Sequence, residues 1–369
     1  MFFGRADILR RFDLAMVDEG SDDRALFFTG TRGSGKTALL EQLSIRASEK
    51  GRKVVDLGPE NTVEQLVSEL AGFDESTTTV NPQASVSVLG RGGGVSAGSV
   101  SKTKRIGRER LQSLLIEACR KAKRGMLVTV DEVQKVPIDD VSSLCNAFQM
   151  ASRKGHDVML AVAGLPYAHP EIVEHEGCTY LRRASHEELA LFTWDEASDA
   201  FSKAFSLVDG LAVDRVFLDE LNRASYGQPY LMQLLGYHLV SCVNEGNPGK
   251  RHDVTAQEVD AAMSLAVLAY ERRALKPLVE ELPRTERRYL SAMAECLDDD
   301  RLARTSAVAE RLGMTQKSLS QARSRLMGNG IIAAPERGAV MFCIPYLADF
   351  VTKEEATSTA VEIARMRKV

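Results

Sequence analysis

The sequence predicts an α/β protein with a parallel sheet, followed by a helical region and a C-terminal winged helix-turn-helix domain. Through residues 1–185, short apolar strands alternate with amphipathic helical patterns, which is the order that produces parallel sheets. The strand signal then fades, and residues 186–280 have an almost wholly helical pattern. In residues 281–355, three helical patterns, the last two joined by a tight turn, precede a hairpin, and residues 356–369 form a tail.

Composition limits the classes of function. A net charge of −4 over 369 residues gives no general attraction to nucleic acid, so nucleic-acid binding would need a local basic patch. The six cysteines contain no C-x-x-C pair, which argues against a zinc site or a disulfide framework. An acidic residue comes too early for a signal peptide, and no apolar run approaches the ~20 residues of a membrane span. We therefore expect a cytoplasmic protein with no membrane partner.

The segment Gly30–Thr37 fits the pattern G-x-x-x-x-G-K-[ST], between an apolar strand and the start of a helix. Its glycines would let successive backbone N–H groups point at one anion. Lys36 is expected to reach the β- and γ-phosphates, and the Thr37 hydroxyl to bind Mg²⁺. A glycine-rich turn can also be only a turn, but here every fixed position and both flanks are present. The residues predicted to contact ATP through this segment are Gly30, Thr31, Arg32, Gly33, Ser34, Gly35, Lys36, Thr37 and Ala38.

A second acidic motif completes the predicted nucleotide site. The apolar run 126–130 reads as a buried strand, and Asp131 and Glu132 follow it directly. A buried parallel strand would bring Asp131 to the Mg²⁺ ion and Glu132 to the attacking water. The sequence therefore predicts ATP hydrolysis with Lys36 and Glu132 as catalytic residues, and with Thr37 and Asp131 as the metal ligands.

Residues 76–107 interrupt the alternation of strands and helices. Alternating small residues flank a glycine-rich stretch, which predicts a protruding hairpin insertion, and four basic residues lie between 102 and 108. Two interpretations remain open for this insertion. It is either a solvated linker or a mobile basic element that touches DNA or a neighbouring subunit.

The helical region 186–280 is predicted to be a separate subdomain. Glycine and proline interrupt its pattern at Gly227–Pro229, which favours a turn. Thr255 is predicted to cap one more long helix. The only tryptophan of the chain, Trp194, is expected to fill the core of this subdomain.

The C-terminal domain carries the predicted DNA contacts. Thr315 is expected to cap a helix that runs to Gly328, and short polar and basic side chains on its outer face suit a major groove. The residues predicted to contact double-stranded DNA are Gln316, Lys317, Ser320, Arg323 and Arg337. The alternative is a winged helix used for protein contacts, because ten basic against eight acidic residues in 284–352 leave a charge of only +2.

Together these motifs resemble the AAA+ and STAND-type P-loop ATPases that end in a winged helix, and in particular archaeal-type ATPases and origin-recognition initiator ATPases. The resemblance rests on Gly30–Thr37, on Asp131-Glu132-Val133-Gln134, on Phe3-Gly4-Arg5 and on Gly227-Gln228-Pro229-Tyr230. It implies that 1–185 is the ATPase core, 186–280 the lid with a linker helix, and 281–355 the winged helix.

The resemblance also implies further site residues. Gly4 and Arg5 would pack beside the adenine, and Pro229 would face the nucleotide from the lid. Arg183 or Arg182 would reach the γ-phosphate held by a neighbouring subunit, which implies self-association.

Two departures from the initiator pattern are visible. Initiators usually carry a polar sensor at the end of the fourth core strand, where this chain has Ala163-Gly164, and a lid arginine where it has Gln228-Pro229. Both departures favour the archaeal-ATPase and STAND side, and they imply slow hydrolysis with ATP acting more as a switch.

Two functions are therefore predicted. The first is an ATP-regulated DNA-binding ATPase. The second is a STAND-type signalling or defence switch, in which the winged helix braces the lid and makes protein contacts.

Overall fold

The computed structural model describes residues 2–18, 20–72, 110–246 and 252–354. The predicted insertion at 76–107 and the predicted tail at 356–369 lie outside these ranges. The chain divides into two compact units: Met1–Thr29 with Lys36–Glu188, and Gly30–Gly35 with Leu189–Val369. Among the described helices, none is long and apolar enough to cross a membrane.

The first unit is built on a five-stranded parallel sheet in the order β2-β3-β4-β1-β5, which confirms the predicted fold class. Its strands are β1 (Ala25–Thr29), β2 (Lys53–Leu57), β3 (Met126–Val130), β4 (Val158–Gly164) and β5 (Ser185–Glu188). Every residue of β1, β3 and β4 is buried, because interior parallel strands are covered on both faces. The edge strand β5 alternates between half-buried and exposed positions instead, and β2 has half-buried and exposed positions beside its buried ones.

Seven helices accompany this sheet in the described part of the first unit. They are α1 (Ala6–Ala15), α2 (Lys36–Glu49), α3 (Thr62–Ala71), α4 (110–121), α5 (Ile138–Arg153), α6 (Ala168–Glu174) and α7 (Thr179–Arg182). The β–α alternation places β1 directly before the segment that leads into α2. The carboxyl ends of parallel strands, where such folds bind ligands, therefore carry the residues that follow β1 and β3.

An ion cluster joins the amino ends of three strands, at the edge of the sheet opposite to the residues that follow β1 and β3. Asp157, which precedes β4, accepts hydrogen bonds from both terminal nitrogens of Arg52 at 2.8 Å and also pairs with Arg24. Arg52 precedes β2 and Arg24 precedes β1, and the Arg52 side chain is only 3% exposed. Arg52 also donates to the Met16 carbonyl, so the buried guanidinium is satisfied on two sides.

The second unit begins its helical part with α8 (Trp194–Ser206), α9 (Arg215–Ser225), α10 (Pro229–Gly246), α11 (Ala256–Tyr270) and α12 (Lys276–Glu281). Glu271–Leu275 forms a π-helical turn between α11 and α12, and the two-residue strands β6 (Leu211–Ala212) and β7 (His252–Asp253) pair in parallel. The predicted cap at Thr255 is confirmed by a capping box with Glu258.

The prediction for Trp194 is wrong. Its side chain is 45% exposed, and the Arg223 guanidinium lies over its ring at 5.9 Å. Trp194 is the first residue of α8, and the buried stripe of this helix starts at Ala197 and continues through Phe201 to Phe205. Trp194 has the helical spacing of this stripe, three and seven positions before Ala197 and Phe201, but it stands at the end of the helix, one turn before the first buried residue.

The C-terminal part is the predicted winged helix-turn-helix. It contains α13 (Arg284–Glu295), β8 (Ala303–Arg304), α14 (Thr305–Arg311), α15 (Ser320–Gly328), β9 (Ile332–Ala333), β10 (Ala339–Phe342) and α16 (347–354). The strands form a small antiparallel sheet in the order β8-β10-β9, with β9 and β10 as the wing hairpin.

One helix boundary in this domain differs from the prediction. The second helix of the motif begins at Ser320 and not at Thr315. The Thr315 hydroxyl accepts the Ser318 N–H at 3.2 Å, which is the bond that an N-cap makes, but turns occupy 316–319 before the regular helix begins. Gln316 and Lys317 therefore lie in the turn ahead of α15.

Candidate nucleotide site

Two residues predicted to bind Mg²⁺ meet in the first unit. Thr37 lies in the first turn of α2, and Asp131 directly follows β3, 94 positions later. The Thr37 hydroxyl donates to Asp131 Oδ2 at 2.6 Å, while Oδ1 accepts the Glu132 N–H at 2.8 Å. A hydroxyl and a carboxylate are hard oxygen ligands that suit Mg²⁺, which usually takes its other ligands from water and phosphate. The pair therefore fits the predicted ion.

The conformation of the Gly30–Gly35 loop requires glycine. Gly33 and Gly35 have φ values of 80° and 92°, which side chains rarely allow. At Gly30 an added Cβ would lie 2.5 Å from the Ser34 hydroxyl oxygen. That hydroxyl is buried and has no partner among the described residues, so a polar group inside this loop is left for an external oxygen. These features fit a triphosphate.

The turn predicted at the nucleotide face of the lid contacts this loop within the second unit. Gln228 is 1% exposed, and its Nε2 donates to the Arg32 carbonyl at 2.9 Å. Pro229 begins α10, and its ring lies 3.8 Å from where a Cβ on Gly35 would stand. Pro229 was a predicted site residue, whereas Gln228 was noticed only as a departure from an expected arginine. The buried glutamine is a contact that sequence reasoning missed.

Three more residues predicted to contact ATP are Lys36 and Ala38, which lie in α2, and Arg32, which contacts α12. Lys36 is the first residue of α2 and is 6% exposed, and Ala38 is half-buried in the same turn. Arg32 forms an ion pair with Glu281, the last residue of α12, at 3.0 Å. Its charge is therefore engaged within the second unit.

Glu132 is held by the short turn that follows it. Its backbone is left-handed, with φ 52° and ψ 41°, and it caps a 3₁₀ turn at Val133–Lys135. Glu132 Oε2 accepts from Gln134 Nε2 at 2.9 Å and lies 3.2 Å from Lys135 Nζ. Gln134 was quoted only as part of a motif, and its contact with the predicted catalytic carboxylate was not foreseen.

The two arginines predicted to act on a neighbouring subunit differ. Arg182 is the last residue of α7, and its guanidinium donates to the Val173 carbonyl at 2.7 Å and to the His175 carbonyl at 3.4 Å. Arg183 follows α7 and is exposed. Arg183 is therefore better placed than Arg182 to meet a second molecule.

Two stacked histidines lie beside the end of β1. The rings of His169 and His186 stack at 3.8 Å, and His186 Nε2 is 2.8 Å from the hydroxyl of Thr29, the residue before the phosphate loop. Burial lowers the pKa of His186, and burial together with the neighbouring imidazole lowers the pKa of His169. Both shifts favour the neutral form of the imidazole.

Gly4 and Arg5, predicted to pack beside the adenine, precede α1 in left-handed conformations with φ values of 75° and 59°. The Arg5 carbonyl accepts the Leu9 N–H at 3.1 Å and so starts the helix. Their contact with the adenine stays a prediction.

The predicted DNA-contacting residues lie on the surface of the winged helix to different degrees. Gln316, Lys317, Ser320 and Arg337 are exposed, whereas Arg323 is half-buried near Tyr289. Gln316 Oε1 accepts from the Thr305 hydroxyl at 3.2 Å, so one end of its amide is engaged. The helical spacing on α15 also exposes Gln321, which the prediction omitted.

A parallel sheet in which the Gly30–Thr37 segment follows β1 and Asp131 follows β3 defines a P-loop ATPase fold. The chain is similar to the Cdc6p protein of Pyrobaculum aerophilum, with 15% identity and a TM-score of 0.48 over 95% of both chains. It is also similar to the Aeropyrum pernix Orc1 protein, solved in complex with DNA, with 18% identity and a TM-score of 0.49 over 98% of this chain and 95% of that chain.

A third similarity is to the RuvB Holliday junction branch migration motor of Thermotoga maritima, with 16% identity and a TM-score of 0.44 over 94% of both chains. At such identities and TM-scores, the chemistry has to be judged from this chain's own residues. A family described as Domain of unknown function (DUF8462) matches residues 273–351. Comparison with curated protein sequences gives no match.

Proposed function

We propose that this chain binds and hydrolyses ATP and that it binds double-stranded DNA through its winged helix under the control of ATP. The observation that carries the ATPase proposal is the 2.6 Å hydrogen bond between Thr37 and Asp131. The parallel sheet brings these residues, which are far apart in sequence, to one edge, where a hydroxyl and a carboxylate offer two hard oxygen ligands to one cation. The buried Ser34 hydroxyl in the phosphate loop supports the same conclusion.

The residues divide the work of hydrolysis. Lys36 and the N–H groups of the loop neutralise phosphate charge, and Mg²⁺, held by Thr37 and Asp131, would stabilise charge on the phosphate oxygens. Glu132 takes a proton from water while the water oxygen bonds to the γ-phosphorus. The bond from that phosphorus to the bridging oxygen breaks, and ADP and inorganic phosphate leave.

The test of this mechanism is Glu132→Gln. The amide keeps the size of the side chain but cannot take the proton, so ATP binding should persist while turnover falls by about 10² or more. Binding is measured with a fluorescent nucleotide and turnover by phosphate release. Hydrolysis at the wild-type rate would remove Glu132 from the catalytic role.

The DNA proposal rests on the charge and exposure of the winged helix. Between Thr315 and Met327 there are three basic residues and no acidic one. Lys317 and Ser320 stand exposed at the start of α15, and Arg337 is exposed in the wing turn. An exposed helix start with a basic wing suits a groove and its flanking phosphates.

The second function, a STAND-type switch, is favoured by a different observation. Tyr346 precedes α16 and donates its hydroxyl to the Ala224 carbonyl in α9 at 2.9 Å. Its ring also packs edge-on against Tyr226 at 5.4 Å. The winged helix is therefore tied to the helices of the lid within the second unit, as a brace would be.

One measurement separates the two functions. Fluorescence anisotropy with a random duplex at low salt, with and without ATP, should show binding that changes with ATP if the winged helix contacts DNA. Absence of binding in both nucleotide states, with ATPase activity retained, would favour the switch.

A further inference from the structure

We infer that Gln134 is the residue that positions the Glu132 carboxylate for water activation, by linking it to the end of strand β4. The inference rests on the proposed ATPase function. It assigns a role to a residue outside the loop, the metal ligands and the general base.

Both ends of the Gln134 side chain are engaged. Its Oε1 accepts the Leu165 N–H at 3.1 Å, and its Nε2 donates to Glu132 Oε2 at 2.9 Å. The orientation of the amide is fixed by chemistry, because a backbone N–H only donates and an ionised carboxylate only accepts. Glutamine supplies both functions at once. Glutamate would set two carboxylates side by side, and asparagine is one methylene shorter.

The strand end is shaped to receive this side chain. A Cβ added to Gly164 would lie 2.8 Å from Gln134 Oε1 and 2.9 Å from Val133 Cγ1. The space above the last residue of β4 is thus occupied by the Gln134 carboxamide. All of β4 is buried between its neighbours, so the amide is anchored at the end of a fully buried strand.

The backbone of Glu132 explains why an anchor is needed. A non-glycine residue with φ near 50° costs on the order of 1 kcal/mol, and it persists only where its surroundings hold it. Lys135 also approaches Glu132 Oε2, but its side chain is 54% exposed, and water screens the charge of an exposed ammonium. Gln134 is therefore the residue that fixes the orientation of the Glu132 carboxylate. With Oε2 held by this amide, Oε1 is the oxygen that takes the proton from water.

The central variant is Gln134→Ala. Loss of the anchor should lower kcat by about 10- to 100-fold, as is typical for residues that orient a reactive group, with nucleotide affinity unchanged within twofold. Gln134→Asn should recover little, because the shorter amide cannot reach both partners. Gln134→Glu should move the acidic limb of the pH–rate profile to higher pH, because two adjacent carboxylates share a proton.

A double-mutant comparison separates positioning from a structural role. If Gln134 acts through Glu132, then Gln134→Ala added to Glu132→Gln should cause no further loss in single-turnover hydrolysis. A purely structural residue would give an additional loss in both backgrounds. Gln65→Ala is the matched control, because Gln65 is a glutamine of the same unit whose amide bonds to the Glu60 carbonyl at 2.8 Å on the surface of α3.

The outcomes are distinguishable. Wild-type protein that hydrolyses no ATP would overturn the proposed function and this inference together. Hydrolysis that depends on Glu132 but is unchanged in Gln134→Ala would overturn the inference alone. If Gln134→Ala and Gln134→Asn both lower nucleotide affinity or thermal stability along with kcat, the residue serves folding, and the inference is also overturned.

Discussion

The nucleotide site and the winged-helix surface are opposite kinds of site. At the candidate nucleotide site, residues from separate elements contact one another directly, as Thr37 and Asp131 do, and Ser34, Lys36 and Gln228 are buried. On the winged helix, Lys317 and Arg337 point into solvent and are defined by exposure rather than by partners. The first site is already organised by the fold, whereas the second needs a partner to become organised.

The two sites differ in when their side chains become ordered. At a site for a small charged ligand, the side chains lose their conformational entropy during folding, so their contacts are already present in the protein alone. A surface that meets a long polyanion gains from charge that is still solvated and mobile beforehand. Substitutions should therefore act sharply at the first site and gradually at the second.

Lys36→Ala should have the largest effect. The side chain is 6% exposed, and its removal leaves the phosphates without their main counter-charge in an enclosed site. We expect loss of measurable ATP binding by calorimetry. Lys50→Ala, at an exposed position directly after the same helix, should bind normally. Retained affinity in Lys36→Ala would show that the loop does not hold a triphosphate.

Arg183→Ala should have the next largest effect, on turnover. An arginine acting from a neighbouring subunit contributes about 10³-fold or more, and wild-type turnover per subunit should then rise with protein concentration. Arg182→Ala should be milder, because that guanidinium is already bonded to two carbonyls. Mixing Arg183→Ala with Lys36→Ala protein should partly restore activity. If turnover per subunit is independent of concentration and mixing restores nothing, the protein is a monomeric switch.

The winged helix should respond more moderately. Lys317→Ala combined with Arg323→Ala should lower duplex affinity at least about tenfold at ~0.1 M salt, and each lost phosphate contact should reduce the salt slope by about one unit. ATP hydrolysis without DNA should not change. Lys203→Ala with Arg215→Ala is the control, since it removes the same charge from exposed positions on α8 and α9. Equal losses in both double variants would mean that only net charge matters.

The smallest expected effect concerns the stacked histidines. Burial lowers the pKa of His169 and of His186, so below the unfolded value of about 6.5 the unfolded chain binds protons that the folded chain excludes. Stability should therefore fall as the pH drops from 7.5 to 5.5. In His186→Gln the fall in Tm should be smaller, whereas His156→Gln should behave as wild type. An unchanged pH dependence in His186→Gln would exclude this pair as its source.

The sequence predicted most where chemistry and periodicity coincide. The parallel sheet, the strand before Asp131 and the winged helix follow from apolar runs and turn residues that local rules describe. It failed where the outcome depends on neighbours. Trp194 has the size and the helical spacing of a core residue, but it stands at the exposed end of its helix. The regular part of α15 begins five residues after Thr315, because turns occupy the positions between them.

The contacts of glutamine side chains were also beyond the sequence. Gln134 accepts the Leu165 N–H at 3.1 Å and Gln228 donates to the Arg32 carbonyl at 2.9 Å, and the fold brings both of these partners near. Glutamine carries no pattern that marks it as buried or exposed, and its partner is chosen by geometry alone. The positions of both residues in recognisable motifs were visible beforehand, but their bonds were not.

The linker into the winged helix has a consequence for how this chain can vary in length. Helical backbone runs unbroken from Ala256 through the π turn at Glu271–Leu275 to Glu281, a rod of about 39 Å. Each residue inserted in such a rod turns everything beyond it by about 100°. A single insertion or deletion would thus rotate the winged helix about the axis of the rod by more than a quarter turn. A change of about seven residues would nearly restore its original orientation. The residue count of this rod acts as an angular register, so tolerated length changes should come in steps close to whole helical turns.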